Sequence, residues 1–298
     1  MATTRELTTA RPLTRSAPGT QRRVSVGTVL RHAIIIFFLL VVLLPLTWVL
    51  LLSIRSIPDA YTAGFWPREF DFSHYAYVLN GIPTLPRNMV NSVVVTAGTV
   101  VTTTICSILA GYALVHLRRL PGRAVIAALL VASMYFPTRV TSLIALFEIQ
   151  RGLGLINNTF GLILPYVTLN LALSVFIMRG MFEQISSEIA DAALIDGAGA
   201  WRTLWSVMMP LVRNGIVVVI MVNFVTAWGE YLLAFTLTND QEARTMPVVL
   251  ATALGGMGQW AWPRIAAVYI MVITPGIAAF AASQRWFMKG LTEGALRG

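Results

Sequence analysis

The run AIIIFFLLVVLLPLTWVLLL, Ala33 to Leu52, decides the class of fold. It carries no charge, and a helix of this length covers the ~30 Å hydrocarbon layer of a bilayer at about 1.5 Å per residue. No small-residue cleavage site accompanies it, so it reads as a retained helix rather than a signal peptide, with Pro45 expected to kink it. Comparable runs recur, and six spans are expected at roughly 32–53, 89–115, 124–147, 159–180, 215–237 and 265–285. Each should be helical, because backbone polar groups in lipid must bond to one another. Pro137, Pro165 and Pro275 interrupt the third, fourth and sixth. The expected fold class is all-α: a polytopic membrane protein with six transmembrane helices and no internal duplication. The expected boundaries are a mobile N-terminal tail at 1–30, a six-helix domain at 31–286 and a C-terminal tail at 287–298.

Composition points the same way. Of the 298 residues, 56% are hydrophobic and 12% charged, and the mean hydropathy is +0.72. A water-soluble core of this size cannot hide so much apolar surface, so lipid must cover part of it. The net charge of +9 lies between apolar runs rather than on one face, which excludes a nucleic-acid reading. Cys106 is the single cysteine, so neither a disulfide nor a cysteine-metal site forms within one chain. His32, His74 and His116 fall in different segments, and no HExxH or GxSxG pattern occurs. Neither a metal site nor a catalytic site is expected.

The basic residues orient the chain. With the N-terminus in the cytoplasm, 15 of the 22 arginines and lysines fall inside. The positive-inside rule therefore places both termini in the cytoplasm, and the stretch from Arg179 to Gly215 becomes a cytoplasmic loop between spans four and five. Its central sequence is SSEIADAALIDGAGAWRTLWSVMMPLVRNG, Ser186 to Gly215. Ser186 or Ser187 can cap a helix start, where Glu188 and Asp191 suit the positive helix end. Gly197 or Gly199 permits the reversed dihedral that ends the helix. A second helix is expected from Ala200 to Met209, stopped by Pro210, with Trp201, Leu204, Trp205 and Met208 on one apolar stripe. Such a hairpin can lie on the membrane interface or dock into another protein.

The loop resembles the coupling motif of ABC importer permeases. Ala192, Ala193, Asp196, Gly197, Ala198, Trp201, Trp205, Pro210 and Leu211 match in order; Asp191 replaces a Glu and Gly215 a Pro. NSVVVT at 91–96, GYAL at 111–114, LGLINNTFGLILPY at 153–166 and WGEYLLAFTL at 228–237 extend the likeness, with Gly229 in place of a usual Asn. The ending QRWFMKGLTEGALRG, 284–298, is similar to that of the second permease in maltose-type sugar systems. The resemblance implies a multi-pass inner-membrane permease of a bacterium or archaeon. It would form half the pathway for a di- or oligosaccharide, beside a second permease, two ATP-binding cassette subunits and an extracytoplasmic sugar-binding protein. Glycerol-phosphate and amino-sugar systems share the pattern. Glu188, Asp191, Ala192, Ala193, Asp196, Gly197, Ala198, Trp201, Trp205 and Pro210 would then couple it to the ATPase. The chain has no GxxxxGK[ST] loop, so ATP and Mg belong to the partner, and no cofactor is expected here. A secondary transporter working without an ATPase would call for internal repeats and paired broken helices, which the sequence lacks.

Pathway residues carry a weaker signal. An ionisable group inside a span costs about 2.5–3.5 kcal/mol on insertion scales, so Glu230 and Arg139 should face a cavity or each other, or Arg139 snorkels to the headgroups. Asn91, Tyr135, Asn223, Trp228 and Tyr231 offer the aromatic faces and amides that bind sugars. Packing or an interface belt is the other reading of such residues.

Overall fold

The computed structural model describes residues 26–62, 64–117, 121–135, 142–255 and 260–295. Among them every regular element is a helix, apart from an isolated bridge between Arg55 and Phe70. Five helices are long and apolar enough to cross a membrane: Gly27–Ser53, Leu85–His116, Thr159–Glu183, Ala200–Trp228 and Trp262–Ala282. These observations describe a polytopic helical membrane protein. The expected third span is met by two shorter helices, Arg123–Tyr135 and Leu143–Gly152. Residues 136–141 between them, with Pro137 and Arg139, lie outside the described residues, as does most of the 1–30 tail.

The chain forms two units, residues 1–47 and 48–298. The first contains the N-terminal part of α1, Val26–Ser53, where Ile34 to Leu44 expose apolar side chains and Pro45 does not end the helix. In the second, α2 (Ile57–Ala60) and α3 (Ser73–Gly81) precede the bundle. The bundle is built from α4 (Leu85–His116), α7 (Ile163–Glu183), α9 (Ala200–Trp228) and α12 (Trp262–Ala295). The helices Arg123–Tyr135 and Leu143–Gly152 are α5 and α6. The helix Ser187–Ile195 is α8, and Leu232–Leu237 and Met246–Gly255 are α10 and α11.

The central pair is α4 against α7, with α9 packed on both. Gly111 permits that contact. A Cβ there would meet Met178 Cβ at 2.9 Å and the backbone N of Arg179 at 3.0 Å, and backbone cannot move aside. Gly111→Leu should therefore force α4 and α7 apart and cost about 1–3 kcal/mol. The expected result is a lower unfolding temperature of the purified protein in detergent; an unchanged one contradicts this packing. The interface also carries polar groups. Thr99, Thr103 and Ser107 are fully buried along one face of α4, and Asn223 donates from Nδ2 to Ser174 Oγ and to Val219 O, both at 2.8 Å. The Asn223–Ser174 bond ties α9 to α7 inside the membrane domain.

Four expectations are corrected here. Pro165 does not interrupt a span; it occupies the first turn of α7, where its missing N–H leaves no bond unmade. The span expected at 215–237 is broken: α9 ends at Trp228 and α10 begins at Leu232. Pro210 does not stop the helix from Ala200. The turn Thr203–Met208 is a π-helix in which Met209 N–H reaches back to Leu204 O, and the chain continues as helix to Trp228. The wider turn directly before the proline relieves the ring's clash with the preceding carbonyl. Lastly, Pro275 does not interrupt the sixth span: α12 runs through it from Trp262 to Ala295.

At the end of the bundle where α4 begins, a buried ion network holds the segment before α3. Arg55 and Asp59 pair at 3.3 Å. Arg55 also donates to Gly64 O at 3.0 Å and lies 5.4 Å from the Trp48 ring. Arg68 N–H donates to Asp59 Oδ2 at 2.9 Å and holds that carboxyl below its ordinary range, aided by Thr62, Arg55 and the Arg68 guanidinium. Asp71 is lowered likewise by the Ser73 hydroxyl and N–H. The buried His74 ring donates from Nε2 to Arg55 O at 2.9 Å.

Candidate functional site

Two regions hold the residues singled out above. The first is the connection from α7 to α9. Ser186 caps α8, its hydroxyl accepting from Glu188 N–H at 3.3 Å. Gly197 closes the helix with φ +77°. Ala198 N–H then reaches Ala193 O at 2.9 Å and Gly197 N–H reaches Leu194 O at 3.1 Å. This reciprocal pair is the Schellman arrangement that a left-handed glycine makes possible. No atom lies within 4 Å of a Cβ built on Gly197, so its outer side is open.

The helix faces divide cleanly. Ala190 and Ala193 are buried, and Ala190 packs with Tyr112, Phe182, Leu204 and Met208. Glu188, Ala192, Asp196 and Gly197 are exposed, whereas Asp191 and Ala198 are half-buried. The stripe expected on the following helix splits. Leu204 and Met208 point into the core, while Trp201 is 66% and Trp205 41% exposed. The two indoles meet edge to face at 5.6 Å. The π-turn explains the split, since it alters the angle per residue on which the helical stripe was drawn. Ile195, 87% exposed, and Leu194, on the other side of the turn, are also bare apolar side chains. Sequence reasoning missed these two, although their place beside a glycine turn was a usable signal. Large side chains held rigid and bare beside a tight turn form a surface that fits a pocket of another protein.

The second region surrounds the break after α9. Glu230 is buried, and its carboxylate caps α10: Oε1 accepts from Leu233 N–H and Oε2 from Ala234 N–H, both at 3.1 Å. Negative charge at a helix start is favourable, which accounts for an acid at this depth. Its pairing with Arg139 lies outside the described residues, as does the Tyr135 side chain. Asn223 is wholly buried and bonded within the bundle, and Asn91 donates to main-chain carbonyls. Trp228 and Tyr231, by contrast, line an apolar groove of about 570 Å³ with Phe224, Leu250, Val272 and Gly276. The Trp228 indole stacks on Phe224 at 5.9 Å and donates to Val272 O at 3.3 Å, so the ring plane is fixed. Among the described residues no cluster of His, Cys, Asp and Glu could hold a metal ion.

The family model described as binding-protein-dependent transport system inner membrane component matches residues 22–293. The chain is 28% identical over 287 residues to a diacetylchitobiose uptake system permease protein of Streptomyces coelicolor, covering 96% of this chain and 93% of that one. It is 33% identical to a sulfoquinovosyl glycerol transport system permease protein of Agrobacterium fabrum, covering 86% and 89%. With a trehalose transport system permease protein of Mycobacterium tuberculosis it shares 32% identity, covering 86% and 93%. A chain from the crystal structure of a bacterial ABC transporter involved in the import of the acidic polysaccharide alginate superposes with a TM-score of 0.75. The identity there is 26%, covering 91% of this chain and 100% of that one.

Proposed function

The chain belongs to the family of binding-protein-dependent transport system inner membrane components, and on that premise we propose that it is one of two permease subunits of an ATP-driven sugar importer. The observation that carries this reading is the bare Trp201–Trp205 pair after the turn closed by Gly197, with the exposed Ile195 before it. It has the shape and apolarity that a cleft in a separate ATP-binding subunit can hold. The α8 helix is then the coupling helix. Closure of two ATP-binding subunits pulls on it, and the continuous helix from Ala200 to Trp228 passes the displacement to the broken segment and its groove. Glu188, Asp191 and Asp196 supply charge around that contact.

The remaining parts follow from this assignment. Helices α5 and α6 together make the third of six crossings, so both termini lie on the cytoplasmic side of the inner membrane, as the distribution of arginines favours. A second permease completes the pathway, and an extracytoplasmic binding protein delivers the sugar. ATP and Mg stay on the ATPase, and this chain has neither a cofactor nor a catalytic site of its own. Its relatives are named for diacetylchitobiose, sulfoquinovosyl glycerol and trehalose, which supports a disaccharide or glycoside as cargo. The first of these, built from an acetylated amino sugar, keeps an amino-sugar cargo open. Trp228 and Tyr231 offer the ring faces on which such a cargo can stack. Tagged chain extracted in mild detergent should co-purify with one second permease and an ATP-binding subunit. Isolation without an ATPase, from cells that carry out the uptake, would refute the assignment.

A further inference from the structure

The turn between α10 and α11 is held by side chains from two distant elements. Asn88 Nδ2 donates to Gln241 O at 2.7 Å and to Arg244 O at 2.9 Å. One turn further along α4, Asn91 Nδ2 donates to Glu242 O at 2.7 Å and to Arg244 O at 3.0 Å. Ser92 Oγ accepts from Met246 N–H at 2.7 Å, at the first residue of α11. From the other side Asn157, with φ +60°, accepts at Oδ1 from Asn239 N–H at 2.6 Å and Asp240 N–H at 3.1 Å. Its own N–H donates to Leu237 O at 2.9 Å. Asn88 and Ser92 are almost wholly buried, and Asn91 is 8% exposed.

The helices joined by this turn have 6 and 10 residues. Neither reaches the ~20 residues that a crossing needs, so neither can be placed by spanning the membrane. Irregular backbone at such a break persists only where the protein satisfies it or it lines a cavity. The first condition holds here, since side chains of α4 and Asn157 bond the turn's main chain, and the groove is lined by the residues that flank the turn. The groove takes Trp228 and Tyr231 from one side of the clamped segment, and Pro247, Leu250 and Leu254 from α11 on the other.

We propose that Asn88, Asn91 and Asn157 are positioning residues for transport: they fasten the α10–α11 turn to α4 and so set where α11 stands along the pathway groove. The inference rests on the groove belonging to the pathway. The bonds have opposite polarity, and that supplies the test. Asn88 and Asn91 act as donors to carbonyl oxygens, so Asp, equal in size, removes the donor and sets an anion against two acceptors. Asn157 acts as an acceptor, so Asp keeps its bonds, and Asp also tolerates a positive φ.

The experiment uses the complete importer in vesicles, with its binding protein, ATP and a disaccharide for which wild-type uptake has been established. Each complex is first shown to assemble. In Asn91→Asp, uptake per ATP hydrolysed should fall about tenfold, and further than in Asn91→Ala, the penalty of an unmatched buried group. Asn157→Asp should stay within about twofold of wild type, and Asn157→Ala should fall. In a Cys106→Ser background, maleimide labelling of Leu250→Cys should speed up in Asn91→Asp and not in Asn157→Asp. The proposal is overturned if Asn91→Asp is milder than Asn91→Ala, or if labelling and uptake per ATP match wild type in Asn91→Asp. If no disaccharide is taken up by the wild-type complex when that cargo is sought, the importer assignment fails instead.

Discussion

Gly197→Val is expected to cut sugar uptake about tenfold or more while the assembled importer still hydrolyses ATP. The reason lies in the backbone. Gly197 closes α8 at φ +77° with no atom within 4 Å of where a Cβ would stand, so valine meets no clash. A left-handed conformation costs an ordinary L-residue about 1–2 kcal/mol, and a β-branched one is a genuine outlier there. That strain equals roughly a 5- to 30-fold loss in the population holding the native turn. Because the turn is surface-exposed and α8 is capped independently by Ser186, the bundle itself should fold normally. Asn accepts positive φ readily, so Gly197→Asn should recover most of the uptake. If Asn is as damaging as Val, turn geometry does not underlie the coupling.

Removal of the indoles should do something different. Trp201→Ala with Trp205→Ala is expected to release the ATP-binding subunits from the complex while leaving this chain as stable as before. Both rings are exposed, so the isolated chain loses little on truncation. A tryptophan anchored at an interface typically carries about 2 kcal/mol or more of binding, roughly thirtyfold in affinity for each. Their neighbours Leu204 and Met208 are 2% and 0% exposed, and alanine there should destabilise the bundle by about 2–5 kcal/mol instead. Co-purification and thermal unfolding, measured on both pairs of variants, separate the two effects. Loss of the ATPase from the Leu204 and Met208 variants alone would move the docking role off the tryptophans.

The sequence was informative where one short stretch decides the outcome. Hydrophobic runs mark the long helices, Ser186 marks a cap, and a glycine followed by small residues marks the turn at Gly197. It was misleading where a regular helix was assumed. The stripe from Trp201 to Met208 presumed a constant angle per residue, which the π-turn before Pro210 does not keep. The break at Gly229 was hidden because the residues on both sides are equally apolar, and only Glu230 signalled it. Pairings between distant segments left no trace in any window. Asn91 meets Glu242 across 151 positions, and the buried His74 ring meets Arg55 O across 19. Asn91 and Asn223 were therefore noticed for chemistry suited to sugars, while the bonds that the Nδ2 of each makes within the protein were not.

This chain should move sugar only when a separate ATPase drives it. The most direct measurement is uptake of a labelled disaccharide into vesicles containing the two permeases and the ATP-binding subunits, with binding protein outside and ATP inside. Uptake should require ATP and the binding protein, and it should vanish when the ATP-binding subunits are omitted. Uptake that follows the sugar gradient through the permeases alone would rule out an ATP-driven importer.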